Sequence, residues 1–356
     1  MKRSRGEEPL SSQVKRKVTQ EPFSIQPIQK EEYDGNFGRV ISTGSTLLDL
    51  AISGGRIRGG GVPGGILVEI FGPSGSGKTV LLSEMGGSVQ RQGGDLMFHD
   101  PEARLDKTFA KMFGMEVKEE NYKQPNRVPE VFKAVRAWEP EGDKNVIHGV
   151  FADSLAALST TQEMDNDEGD KMGMRRAKEF SEELRKTCRI LKQNNYLMVC
   201  SNQVRINIDA GPYGQKYTTP GGESIGFYSS LRLRTLKPEK IKRKIKIKGK
   251  EEMRVIGVET QVEVFKSSIW KPYHIAPVTI LFDYGVDDIR DCLQYLKDYY
   301  QTRVYTIGNQ TLSNSMEEAI QMVEQDNLEE ALREEVINVW EEIESKFRSE
   351  RKPKRP

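Results

Sequence analysis

The sequence predicts an α/β fold: a mostly parallel central sheet, antiparallel strands added after it, and a small α-rich domain at the C-terminal end. Three observations predict it. Short apolar runs bounded by turn residues lie at 66–71, 95–100, 146–152 and 196–201, with helical patterns between them. Strands alternating with helices imply a parallel sheet covered on both faces. After residue 225 the pattern changes, and 227–236, 241–248, 254–265 and 277–283 alternate like antiparallel strands. Finally, Gly72-Pro-Ser-Gly-Ser-Gly-Lys-Thr79 fits G-x-x-x-x-G-K-[ST]. It follows the apolar run Ile66–Phe71 and precedes Val80, Leu81, Met85 and Val89 at helical spacing.

In chain order, residues 1–32 are polar and basic and contain Pro9, Pro22 and Pro27. That composition predicts a mostly disordered segment, with an extended piece at Phe23–Ile28 as the exception. The core is expected over 33–286. Within it, Ala177, Phe180, Leu184, Cys188 and Leu191 share one face of a helix over 175–194. In Lys244-Ile-Lys-Ile-Lys248 a strand would carry isoleucine on one face and lysine on the other. A C-terminal domain is expected over 287–347. There Ser315-Met-Glu-Glu318 reads as a capping box, and Leu328, Leu332, Val336, Val339, Trp340, Ile343 and Phe347 mark a long amphipathic helix. A basic tail, 348–356, closes the chain.

Composition narrows the class. The chain has 356 residues, 36% of them hydrophobic and 30% charged. No apolar run approaches the roughly 20 residues that span a bilayer. The N-terminus lacks the apolar core of a secretory signal. Three scattered cysteines, Cys188, Cys200 and Cys292, suit a reducing compartment, and two of them lie in apolar patterns and are expected buried; a cytoplasmic protein follows. The three histidines show no ligand spacing. The net charge is only +1, but cations gather at the N-terminus, over 237–250 and after 346, while acid gathers over 317–344. Segregated basic patches can bind a polyanion locally.

The glycine-rich loop has a specific chemistry. Glycines let backbone N–H groups converge on phosphate oxygens, and the following helix presents its positive end. Gly72, Pro73, Ser74, Gly75, Ser76, Gly77, Lys78, Thr79 and Val80 would therefore hold a nucleoside triphosphate. Lys78 would neutralise the β and γ phosphates and Thr79 would ligate Mg2+. Three further strands end in polar residues. Val150-Phe-Ala-Asp-Ser154 offers Asp153 to the magnesium shell; capping the next helix is the other task of a strand-end aspartate. Phe98-His-Asp-Pro-Glu102 offers Glu102 as the carboxylate that orients attacking water. Cys200-Ser-Asn-Gln203 offers Gln203 as a γ-phosphate sensor opening into the segment from Arg205 to Gly222. Arg175, Arg176, Lys178 and Arg185, at the start of the 175–194 helix, could contact nucleic-acid phosphates.

Together these motifs resemble the RecA-type homologous recombinases, in the bacterial and phage branch. The likeness runs from about Val40 to about Phe347. Its markers are Ile41–Ser45, Gly72–Thr79, Asp100–Asp106, Ala152–Leu158, Ser201–Gln203, Thr218–Gly222, Phe227–Leu233 and Lys266–Tyr273. The resemblance implies ATP and Mg2+ as cofactors, with catalytic roles for Glu102, Lys78 and Gln203. It also implies that Asp106 and Phe109 hold the adenine, that Phe227 is a subunit-interface aromatic, and that Lys266 reaches a neighbour's ATP. Two DNA-binding loops follow from it, about 163–174 and 204–220, with Met172 as a base wedge and Arg205 and Lys216 as cations. Three departures stand out. Ser268 replaces a second interfacial lysine, no N-terminal packing helix is evident in 1–38, and the tail is basic where bacterial members tend to be acidic.

The implied activity is a DNA-dependent ATPase and recombinase. Its partners would be single-stranded DNA, homologous duplex and further copies in a helical filament, with no membrane. The alternative is a RecA-like ATPase that acts as an accessory factor or ring motor without strand exchange. A small-molecule P-loop kinase is a third reading; it would leave Ser201–Gln203 unexplained and lacks an arginine-rich lid segment.

Overall fold

Ten strands form one sheet in the computed structural model, which describes residues 39–160, 172–206, 217–218, 223–349 and 351. They are β1 (Leu67–Gly72), β2 (Leu96–His99), β3 (Tyr122–Lys123), β4 (His148–Ala152), β5 (Tyr196–Gln203), β6 (Leu231–Thr235), β7 (Glu239–Ile247), β8 (Lys250–Ser267), β9 (Ile275–Leu281) and β10 (Gly285–Val286). The order is β10-β9-β8-β6-β1-β5-β4-β2-β3, with β7 also paired to β8. From β3 to β6 every pairing is parallel; the pairings made by β8 and β9 are antiparallel.

The parallel strands are apolar because both faces are covered. Alternate residues divide between two hydrophobic clusters. Val68, Ile70, Phe98, Phe151 and Val199 join one; Leu67, Met97, Val150, Met198 and Cys200 join the other. The first face is covered by α1 (Thr46–Ser53) and α2 (Lys78–Arg91), the second by α4 (Val128–Ala137) and α5 (Met172–Gln193). Between α2 and α4 lies the short α3 (Lys107–Met112). On α5 the expected apolar face is present: Phe180, Leu184 and Leu191 are buried and Cys188 is half-buried.

The structure corrects one strand. Residues Glu223–Tyr228 form a short helix, α6, so the strand expected over 227–236 begins only at Leu231. It also lies parallel to β1 on one side while antiparallel to β8 on the other. The β7–β8 ribbon turns at Lys248 and Gly249, whose φ values are 48° and 84°. Positive φ at both central residues matches the twist of a two-residue hairpin turn. Neither face of its tip is buried; Ile245 and Ile247 are 49% and 53% exposed.

The C-terminal helices are α7 (Asp288–Tyr300), α8 (Met316–Gln325) and α9 (Glu329–Lys346). Ser315 caps α8 by accepting from the Glu318 N–H, whereas the Glu318 carboxylate turns to Ser313 rather than back to the cap, so the box is half formed. Leu293, Leu296, Val336 and Trp340 belong to the same apolar cluster as Leu48, Ile52 and Ala276. Two carboxylates, one half-buried and one buried, fasten this region. Asp288 accepts from Thr46 N and Oγ1, both at 2.7 Å, and Asp291 accepts from Thr279 N at 2.8 Å and Oγ1 at 2.6 Å. Among the described residues no helix is long and apolar enough to cross a membrane. The segments 1–32 and 163–171 and the tail 352–356 lie outside the described residues.

Burial pushes the Asp291 carboxyl up from its ordinary 3.8 to about 7, against the hydrogen bonds from Thr279. Across that window the folded protein holds a proton that the unfolded chain releases. Its contribution to stability is therefore full in acid and is lost as pH rises through about 7. Asp291→Asn, which cannot titrate, should flatten the fall in Tm between about pH 4.5 and about pH 7.5 relative to wild type. Parallel Tm–pH curves for the two proteins would contradict this assignment.

Candidate functional site

Parallel strands release their C-terminal ends along one edge, and in open α/β sheets ligands bind there. Here Gly72 of β1 is in register with Gln203 of β5, Ala152 of β4 with Cys200, and His99 of β2 with Ala152. The residues that follow each strand therefore converge. They line a cleft of about 370 Å3 that includes Ser74, Gly75, Gly77, Lys78, Thr79, Val80, Glu102, Phe109, Asp153 and Gln203. Ten side chains and glycines singled out from five separate stretches of sequence thus meet in one place.

The phosphate loop needs its glycines. A Cβ on Gly72 would lie 2.0 Å from Thr235 Oγ1, and Gly77 has φ of 85°. Ser76 braces the loop from within, donating to Pro73 O at 2.7 Å and meeting Thr235 Oγ1 at 2.7 Å. Lys78 Nζ donates to Gly72 O at 3.2 Å and Pro73 O at 2.7 Å, at the start of α2. Burial loosens its proton relative to an ordinary lysine, and the Asp153 carboxylate opposes that effect. A cation held part-buried beside converging N–H groups suits a polyphosphate.

Asp153 joins three strands. One oxygen accepts from Thr79 Oγ1 at 2.6 Å, and the other accepts from Ser201 Oγ on β5. Its backbone N–H donates to His99 O at 3.0 Å. Thr79 and Asp153 are hard oxygen donors, and Mg2+ on a nucleotide needs only one or two such protein ligands beside phosphate and water. The donor set therefore fits that ion. Glu102 lies alongside: Ser154 Oγ donates to its Oε1 at 2.9 Å, and Arg104 Nη1 pairs with its Oε2 at 2.6 Å.

Other expected residues fall elsewhere. Asp106 does not line the cleft; it caps α3, accepting from Thr108 N at 2.8 Å and Phe109 N at 3.1 Å. It positions Phe109, whose ring lies edge-on to Phe113 at 4.5 Å. Across the cleft are Ile280 and Phe282, which sequence reasoning did not single out. Phe282 is 46% exposed just beyond β9, and only the folded chain shows that exposure and its place at the cleft.

Phe227 and Lys266 are brought together: Lys266 Nζ donates to the carbonyls of Gly226 at 2.9 Å and Phe227 at 3.0 Å, and Phe227 is 76% exposed. Ser268 donates its N–H to Ser230 O at 2.7 Å. Arg176 turns inward, donating to Leu155 O at 3.2 Å and Ala156 O at 2.6 Å, which departs from the expected phosphate contact. Lys178 and Arg185 are exposed, seven residues apart on one face of α5. Met172 and Arg175 lie on the first turn of α5 and Arg205 on a two-residue strand, with their side chains outside the described residues, as is all of Lys216.

Beneath the cleft runs a charged network. Glu69 has no solvent exposure. It accepts from Arg232 Nε at 2.6 Å and from Asn202 Nδ2 at 3.0 Å. The Arg232 guanidinium also lies 4.5 Å from the Phe71 ring centre.

Residues 20–287 match the family described as RecA N-terminal domain. Over 248 residues the chain is 34% identical to Protein RecA of Delftia acidovorans (strain DSM 14801 / SPH-1). That match takes in 70% of this chain and 63% of the relative, so the chain spans less than two thirds of the relative's length. A solved structure, that of the RadB recombinase, is similar over 69% of this chain and 98% of its own, with 19% identity and a TM-score of 0.46.

The network makes a stability prediction. Arg232→Ala leaves a buried carboxylate without its cation and should cost about 3–5 kcal/mol in denaturant unfolding. Replacing both partners by apolar residues should recover most of that loss. A single variant within about 0.5 kcal/mol of wild type would show that the pair is not what satisfies Glu69.

Proposed function

The chain belongs to the RecA family, and from that premise we propose that it is an ATP-dependent DNA recombinase. Protomers would assemble head to tail as a helical filament on single-stranded DNA and pair it with homologous duplex. A heterologous contact of this kind naturally generates a helix. ATP and Mg2+ would be its cofactors, and a cytoplasmic location fits such a substrate.

One observation carries the reading. Gln203, at the end of β5, opens into the same cleft as Lys78, Thr79, Glu102 and Asp153, and the chain continues from it directly into the 204–220 stretch proposed to hold DNA. A single strand therefore ties the phosphate cleft to the proposed DNA segment. Lys78 neutralises phosphate charge, and Thr79 and Asp153 would hold the magnesium that offsets the remainder. Glu102 orients water and takes its proton. Phe109 and Phe282 offer apolar ring surface for a base at the far end of the cleft. Lys178 and Arg185 supply backbone-directed cations, which predicts steep salt dependence and little sequence preference. Phe227 and Lys266 present the surface proposed to meet the neighbouring protomer.

ATP hydrolysis by wild type should rise strongly on addition of long single-stranded DNA. Glu102→Gln should lower kcat by about 10²- to 10⁴-fold while ATP-dependent DNA binding persists. Stimulated hydrolysis with no strand exchange would move the assignment to an accessory ATPase. Hydrolysis indifferent to DNA would overturn the DNA-coupled reading.

A further inference from the structure

One charged side chain in the cleft has no task in the reading above. Arg104 lines the cleft with Lys78 and Thr79, and its guanidinium pairs with Glu102 Oε2 at 2.6 Å. The two partners are unequal. The Glu102 side chain is 18% exposed and its other oxygen is anchored by Ser154; the Arg104 side chain is 77% exposed. The carboxylate is thus held by the protein, while the guanidinium is held by the carboxylate.

The loop is built to keep them side by side. Asp100, buried at the end of β2, accepts from Leu105 N at 2.7 Å and from Tyr122 Oη at 2.8 Å, and its carbonyl accepts from Ala103 N at 3.2 Å. Between Glu102 and Arg104, Ala103 has φ of 51°, a left-handed conformation that alanine seldom adopts. Such a residue persists only where its surroundings hold it, and these cluster at working sites.

We propose that Arg104 is a nucleotide-responsive latch on Glu102. It pairs with the carboxylate until a triphosphate enters the cleft, then turns onto phosphate oxygens and leaves Glu102 free to take a proton. An exposed ion pair is weak, so it is readily exchanged. A phosphate group offers the permanently charged guanidinium fork a two-point, more highly charged partner. In the hydrolytic step the water oxygen bonds to the terminal phosphorus, the bond to the bridging oxygen breaks, and the water proton passes to Glu102. A carboxylate that still holds a guanidinium is a weaker base for that proton. The latch thus links the availability of the base to the phosphate on which it acts.

The inference rests on the nucleotide reading above, and the test separates the two. Binding of a fluorescent non-hydrolysable ATP analogue and of the matching ADP would be measured for the full chain as wild type, Arg104→Ala, Arg104→Lys, Glu102→Gln and the Glu102→Gln/Arg104→Ala double variant. Arg104→Ala should weaken the triphosphate by about three- to fivefold and leave the diphosphate unchanged, with Arg104→Lys between. Glu102→Gln should tighten the triphosphate, and by about threefold more when Arg104 is present than when it is absent. In turnover, Arg104→Ala should raise KM without lowering kcat. Equal shifts for both nucleotides, or Glu102→Gln effects that are the same with and without Arg104, would overturn the latch and leave the cleft assignment standing. A kcat loss of about 100-fold at unchanged KM would also overturn it, since Arg104 would then act on the transition state. Wild type that binds neither nucleotide would overturn the nucleotide reading itself.

Discussion

Glu69 carries a carboxylate into the middle of β1, the strand that leads into the phosphate loop, and water does not reach it. A charge there is tolerable only if it is paired and hydrogen-bonded. Arg232 from β6 and Asn202 from β5, the strands on either side, meet that requirement. The consequence is geometric. Three adjacent strands are fixed laterally at the level where the loop begins, and Arg232 is held against Phe71 and, at 5.3 Å, Phe265 on β8. The parallel half of the sheet and its antiparallel half are therefore joined through one buried charge. Such a pair contributes less net stability than its Coulomb energy suggests, because desolvation offsets it. What it adds is register: a slip of one residue on either flank would leave the carboxylate alone.

The cleft inherits that register. Asp153 can reach both Thr79 and Ser201 because β4, β5 and β1 end at one level. Each contact comes from a different segment, so the arrangement exists only in the folded sheet. The same edge places Glu102 on a tight loop rather than on a regular element, where a small change in backbone redirects its side chain. Precision at Thr79 and Asp153 thus comes from strands, whereas Glu102 depends on the β2–α3 loop.

Much of this was legible in the sequence because polar residues ending apolar strands are costly without a partner. Glu102, Asp153 and Gln203 announce themselves that way, Lys78 and Thr79 through the glycine-rich motif, and the structure brings all five into one cleft. The α/β class was legible for the same reason, since strands buried on two faces read as uninterrupted apolar runs. Other residues answer to a competing local or tertiary rule. Asp106 stands directly before a helix, and the capping preference of aspartate determines its contacts. Phe227 and Tyr228 favour a strand by type, but tertiary context makes them the end of α6. Arg176 reads as a surface cation, yet two carbonyls of the 155–157 turn claim it. Phe282 and Arg104 were invisible as site residues because nothing local distinguishes them; only the folding of β9 and the β2–α3 loop against the phosphate loop gives them meaning.

The buried network also bears on how the cleft and the exposed Phe227 surface relate. Gln203 is adjacent in chain to Asn202, and its N–H donates to the Asn202 side chain at 3.0 Å. Asn202 binds Glu69, which binds Arg232. Arg232 is opposite Lys266 across the β6–β8 ladder, and Lys266 holds the carbonyls that end α6, next to Phe227. Burial first, and then the nearby Arg232 charge, make Lys266 release its proton more readily than an ordinary lysine, while Glu69 opposes this. The charges of Arg232 and Glu69 are therefore felt at Lys266. Rotation of Gln203 that pulls on Asn202 must either break a hydrogen bond to a buried carboxylate or carry that carboxylate with it. Breaking that bond would leave Glu69 partly unsatisfied, at a cost of about 1–3 kcal/mol, so the network resists displacement of Asn202 from its place beside β1.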